Sequence, residues 1–98
     1  MTRAYIVADV DVADPDAYAR YTAQVLACLA PFEGRFLAWA GAVTTLEGPP
    51  TAGRIVILEF PSLAQAQAFW NSPAYRAIVP IRQGCSTARI FMVDGTEP

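Results

Sequence analysis

Arg54-Ile55-Val56-Ile57-Leu58-Glu59-Phe60-Pro61-Ser62-Leu63-Ala64-Gln65 decides how this 98-residue chain folds. Arg54 to Phe60 is rich in β-branched and aliphatic residues, which predicts a strand, and Pro61 cannot donate to a sheet ladder. Ser62 to Gln65 then has the spacing of a capping box, so a helix starts at Ser62. Its apolar stripe is Leu63, Ala66, Phe69 and Trp70. Immediately upstream, Glu47-Gly48-Pro49-Pro50-Thr51-Ala52-Gly53 is the one strong turn cluster, and it joins this strand to another over Arg35 to Leu46 as a hairpin. Gly41 inside that earlier strand predicts a bulge or a close backbone approach.

Further toward the N-terminus, Arg3 to Val12 alternates as a strand, with Ala4, Ile6, Ala8 and Val10 on one face. Asp14 caps the helix that follows, Pro15 takes its first position and Asp16 complements its dipole. Tyr18, Tyr21, Val25, Cys28, Leu29 and Phe32 advance by three or four and form one apolar stripe, which Pro31 and Gly34 end. Toward the C-terminus, Asn71-Ser72-Pro73 starts a further helical turn carrying Tyr75, Ile78 and Val79, which Pro80 must kink or stop. A last strand runs from about Thr87 to Asp94. The order β-α-β-β-α-β makes an α+β, ferredoxin-like protomer: a single domain over residues 1–98, with a four-stranded antiparallel sheet and its helices on one face.

The second face of that sheet is too apolar for solvent. If Ile6, Ala8, Val10, Val56, Leu58, Phe60, Ile90 and Met92 meet the helices, the other side carries Tyr5, Val7, Leu37, Trp39, Val43, Ile55, Ile57, Phe91 and Val93. The charges Asp9, Arg35, Glu59 and Arg89 are scattered among them. Such a patch exceeds what a monomer normally exposes, and charged residues are only 16% of the chain against about 25% in an average domain. Both features predict a homodimer in which two sheets pack face to face. A buried charge needs a partner. Arg35 is therefore expected to hold an anionic ligand or to pair with Glu59 or Asp9. Glu59 lies close to Trp39 or Gly41 in the hairpin, and a carboxylate beside an indole is a candidate base with a raised pKa.

Composition removes several function classes. The net charge of −2 leaves no basic footprint for nucleic acid. With no His in the chain, the usual neutral-pH base, the commonest zinc ligand and the proximal ligand of most haem sites are missing, so no cofactor and no metal is expected. No stretch reads as a signal peptide or a membrane span, and a cytoplasmic protein without membrane contact is expected. Cys28 and Cys85 are not spaced as a metal clip or redox pair and read as reduced core residues.

Asp14-Pro15-Asp16-Ala17-Tyr18-Ala19-Arg20-Tyr21, Gly34-Arg35-Phe36-Leu37-Ala38-Trp39-Ala40-Gly41-Ala42, Leu46-Glu47-Gly48, the strand from Arg54 with its Pro61-Ser62, Phe69-Trp70-Asn71-Ser72-Pro73-Ala74-Tyr75 and Arg82 carry a likeness across nearly the whole chain. In these stretches the sequence resembles the bacterial family known as domain of unknown function 1330, within the dimeric α+β barrel superfamily. The resemblance implies the same protomer and sheet-to-sheet dimer. Trp39-Ala40-Gly41 stands where the family usually reads Arg-Gly-Gly or similar, which would narrow or reshape any cavity. Superfamily relatives include cofactor-free monooxygenases and lactone isomerases, so fold analogy alone licenses many functions. Tyr18, Tyr21, Trp39, Trp70, Tyr75, Arg35 and Arg82, with Glu59, are the candidate ligand-binding set. A dimer that binds a small aromatic or carboxylate-bearing molecule is the leading expectation; a cofactor-independent monooxygenase or isomerase and a non-catalytic structural or accessory dimer are the alternatives. The aromatic stripes also read as plain core, and Arg35 and Arg82 as complements to helix C-termini.

Overall fold

The computed structural model describes residues 2–51 and 53–96. Strand β1 is Ala4–Val12, helix α1 Pro15–Leu29, strand β2 Arg35–Trp39, strand β3 Arg54–Phe60, helix α2 Leu63–Trp70, helix α3 Pro73–Cys85 and strand β4 Ser86–Asp94. The four strands form one antiparallel sheet in the order β2-β3-β1-β4. The outer strands are therefore β2 and β4, and β3 lies beside β1 in the interior.

Local chemistry sets the element starts as expected. The Asp14 carboxylate accepts from the backbone N–H groups of Asp16 and Ala17 at 3.1 and 3.2 Å, a cap worth about 1 kcal/mol. The Ser62 hydroxyl accepts from the Gln65 N–H at 3.2 Å. Ile6, Ala8, Val10, Val56, Leu58 and Phe60 are buried under the helices together with Tyr18, Val25, Leu29, Phe69, Ile78 and Val79. Phe60 and Phe69 are almost fully enclosed, and each stabilises the fold by about 3 kcal/mol through burial.

Three local expectations are corrected. Strand β2 stops at Trp39 instead of reaching Leu46. Beyond Gly41 it has nothing to pair with, because β3 begins at Arg54, two residues past the Trp39–Val56 pair. Ala40 leaves the strand in the left-handed region, with φ of 54°. The bulge lies at Leu37, between the Phe36–Leu58 and Ala38–Ile57 pairs, and not at Gly41. Pro80 does not stop α3, which continues to Cys85. Its buried positions Tyr75, Ile78, Val79, Arg82 and Cys85 step across the proline by three or four, while Pro80 itself faces solvent. At the end of α1 a 3-10 turn over Ala30–Phe32 intervenes, and Glu33 takes the left-handed conformation in place of Gly34. Gly34 is required for space: a Cβ there would stand 2.6 Å from the Phe60 ring and 2.8 Å from Leu29.

Candidate functional site

The displaced bulge matters most for the site, because one extra residue in a strand moves everything after it to the opposite face. Arg35 pairs with Glu59 on the open side of the sheet, as its parity requires. Trp39 pairs with Val56 and so lies on the helix side, where its ring stacks on Phe36 at 4.5 Å and 11°. The eight candidate residues thus divide between the two faces. Arg35 and Glu59 share the open face; Tyr18, Tyr21, Trp39, Trp70, Tyr75 and Arg82 surround one cavity between helices and sheet.

That cavity has about 510 Å³ free of protein atoms when its open mouth is counted. Its floor is Ile6, Ala8, Val10, Val56, Leu58 and Ile90, and its walls are the aromatic residues, with Thr22 and Val25 from α1. The aromatic side chains form a connected set: Tyr18 to Tyr21 at 5.5 Å, Tyr21 to Tyr75 at 6.3 Å and Trp70 to Tyr75 at 5.5 Å between ring centres. The Tyr21 and Tyr75 hydroxyls share a buried hydrogen bond of 2.8 Å. Burial pushes the Tyr18 and Tyr21 hydroxyls above their ordinary pKa, against the opposing pull of Arg82, so both stay protonated at neutral pH.

Arg82 is the unusual member. It is only 6% exposed, and its Nε has no hydrogen-bond partner. No carboxylate among the described residues lies within 4.0 Å of its guanidinium. Its Cζ stands 5.7 Å from the Tyr21 ring centre, and its backbone carbonyl accepts from the Ser86 hydroxyl at 2.6 Å. Its place in the last turn of α3 suits the helix dipole, which offsets part of the charge but leaves the Nε–H unpaired.

On the open face, Glu59 is satisfied. Arg35 Nε donates to its Oε1 at 2.7 Å and Arg35 Nη2 approaches at 2.6 Å, with Arg3 Nη1 at 3.8 Å. The Arg35 hydrogen bond, joined by Tyr5 and Arg3 against the opposing effect of desolvation, holds the Glu59 carboxyl below its usual range. The expectation of a raised pKa there is corrected, because the guanidinium and not the indole is the neighbour. Two further cations stand against cavity aromatics and escaped the sequence reading: Arg54 Cζ at 5.3 Å from the Tyr18 ring and Arg76 Cζ at 4.8 Å from Trp70. Phe36 was legible, since alternation from Arg35 sets it on the helix side; Arg54 and Arg76 lie off every apolar stripe and gave no signal.

A four-stranded antiparallel sheet with its helices on one face and an aromatic cavity between them is a ferredoxin-like α+β protein. Residues 3–96 match the family described as Domain of unknown function (DUF1330), and the chain belongs to that family. No curated protein matches the sequence. Among solved structures, the fold is similar to a protein of unknown function from Rhodopseudomonas palustris, with a TM-score of 0.75 and 23% identity over 99% of this chain and 85% of that one. It is similar to SnoaB, a cofactor-independent oxygenase from Streptomyces nogalater, with a TM-score of 0.68 and 14% identity over 100% and 97% of the two chains. A dimeric ferredoxin-like protein of unknown function from Jannaschia sp. CCS1 gives a TM-score of 0.62 and 19% identity over 97% and 99%.

Proposed function

We propose that the protein is a homodimer that binds a small planar molecule with an anionic oxygen in the helix-side cavity, with Arg82 as its anchor. The observation that carries this reading is the buried Arg82 with an unpaired Nε–H at an otherwise apolar, aromatic-walled space. A buried guanidinium cannot shed its charge and is costly without an anion. A ligand carboxylate or phenolate supplies that anion, and the surrounding rings supply the apolar contact. The test is calorimetric titration of a panel of aromatic carboxylates and phenols into the protein and into Arg82→Met. Binding that weakens about tenfold or more in the variant supports the reading, and equal affinity for every binder defeats it.

The dimer rests on the open face. Phe91 and Val93 are 48% and 46% exposed there, beside half-buried Val7, Ile55 and Ile57 with nothing over them. The dimeric relative from Jannaschia supports a second copy as the cover. The expectation of Glu59 as a base finds no support in its ion pair. A catalytic reading needs a proton acceptor in the cavity, and no carboxylate lines it among the described residues. The only oxygens its side chains offer are hydroxyls, so binding is the better-supported reading.

A further inference from the structure

The Tyr21–Tyr75 pair adds a second donor to the same cavity. Two hydroxyls carry two protons, and their mutual bond of 2.8 Å uses one. Neither hydroxyl has another partner among the described residues, so one O–H remains uncommitted in a space where Arg82 Nε–H is also uncommitted. The lining's other polar groups are neutral: the Tyr18 hydroxyl, the Trp39 and Trp70 indole N–H groups, and Thr22, whose hydroxyl donates to the Ala19 carbonyl. Two buried donors without a partner, one of them cationic, therefore face a cavity whose lining offers hydroxyl oxygens but no anion among the described residues. Water inside such a space satisfies donors, but an oxyanion satisfies both donors and the charge.

We propose that this site takes a phenol or enol as its anion, held between Arg82 and the Tyr21–Tyr75 dyad, and thereby makes the bound hydroxyl more acidic. The proposal rests on the reading of the cavity as a ligand site and names the ligand class. A carboxylate concentrates its charge on a strongly hydrated group, and stripping that hydration in an apolar box is expensive. A phenolate or enolate spreads its charge over a conjugated plane that stacks on Trp39 or the tyrosines while its oxygen accepts the two hydrogen bonds. The raised pKa of Tyr21 keeps its side of the dyad a donor instead of a competing anion. The only step implied is ionisation: the ligand O–H bond breaks, the electron pair stays on oxygen, and the proton leaves to solvent. A ring ionised in this way is a stronger carbon nucleophile than the neutral phenol, and Arg82 with the dyad fixes its oxygen in place.

The test uses 4-nitrophenol, whose anion absorbs visible light, with the whole chain at a pH one unit below the free phenol's own midpoint. Binding is followed independently by quenching of Trp39 and Trp70, both in the cavity wall and the chain's only tryptophans. The phenolate band is expected to grow on binding, and the midpoint of the bound phenol to fall by about one pH unit or more, a tenfold or greater gain in acidity. Replacing both hydroxyls, Tyr21→Phe with Tyr75→Phe, keeps the rings, removes the dyad and its spare O–H, and is expected to bring the bound midpoint back toward that of the free phenol. A phenol that binds with its midpoint unmoved or raised overturns the inference and leaves the anion pocket standing if benzoate still binds. Failure of both benzoate and 4-nitrophenol to bind overturns the two readings together. A midpoint identical in the double variant and the unaltered protein removes the dyad from the site, and neither that comparison nor the titration depends on a variant at buried Arg82.

Discussion

The two faces of the sheet each hold an arginine, and they resolve the same problem in opposite ways. On the open face Arg35 is well exposed, its side chain at 66%, and its charge is answered by Glu59 at hydrogen-bond distance. On the helix side Arg82 is buried, and its charge is answered by ring faces and a helix end but by no carboxylate among the described residues. A satisfied ion pair in partial contact with solvent adds little stability and asks for no ligand. An enclosed cation with an unpaired donor is costly to the fold, and a bound anion would offset that cost. Two kinds of apolar surface divide along the same line. Phe69 is buried in the core beneath the helices, while Phe91 stands half-exposed on the open face.

The strongest way to sharpen this contrast is to truncate each phenylalanine. Phe69→Ala is expected to lower the unfolding free energy by about 3–5 kcal/mol in urea, the range for an aromatic removed from a packed core. Phe91→Asp should act on assembly instead, weakening the dimer by about 3 kcal/mol, on the order of a hundredfold in Kd, because each copy would place an unpaired carboxylate against the other's apolar face. Sedimentation equilibrium reads the second effect directly. An unaltered protein that already sediments at 10.6 kDa in the micromolar range would break the comparison, since the open face would then need no cover. Next in size is the ligand: Arg82→Met should weaken benzoate or phenol binding by about 1.5–3 kcal/mol and Arg35→Met should not change it, as calorimetry would show. The reverse ranking would move the anion site to the open face.

Most of the fold was legible because its signals are local. The Asp14 and Ser62 caps, the Gly48-Pro49-Pro50 turn and the alternation of β1 and β3 each depend on a few neighbouring residues, and each lies where its chemistry demands. The failures share one physical source, which is that pairing partners are remote in sequence. Val43 to Leu46 has strand character but no neighbour to pair with, and Pro80 sits in a helix whose far half is retained by burial of Arg82 and Cys85. The site was half legible for the same reason. Helical periodicity found Tyr18, Tyr21, Trp70 and Tyr75, but one unforeseen bulge at Leu37 carried Trp39 to the other face and left Glu59 beside Arg35. With that shift, the arginine that parity had singled out became the satisfied one.

The smallest expected effect concerns that satisfied pair, and its sign is fixed by the direction of the shift. Folding holds the Glu59 carboxyl below its ordinary value of 4.5, chiefly through the Arg35 hydrogen bond. A carboxyl depressed in the folded state contributes stability that is fully present above the unfolded value and is lost as pH falls through the folded one. Glu59→Gln should therefore melt slightly below the unaltered protein at pH 7, and the gap should close as the pH drops below about 4.5. Because Arg35 remains open to water, the gap should be only a small one and should shrink further in high salt. Cover by a second copy changes that expectation in a measurable way. If the open face is the dimer interface, solvent is excluded from the pair, and the Glu59→Gln gap should widen with protein concentration while its salt dependence weakens. A melting difference that ignores both concentration and salt would show that Glu59 and Arg35 lie outside any interface, and would leave the apolar residues of that face to account for assembly alone.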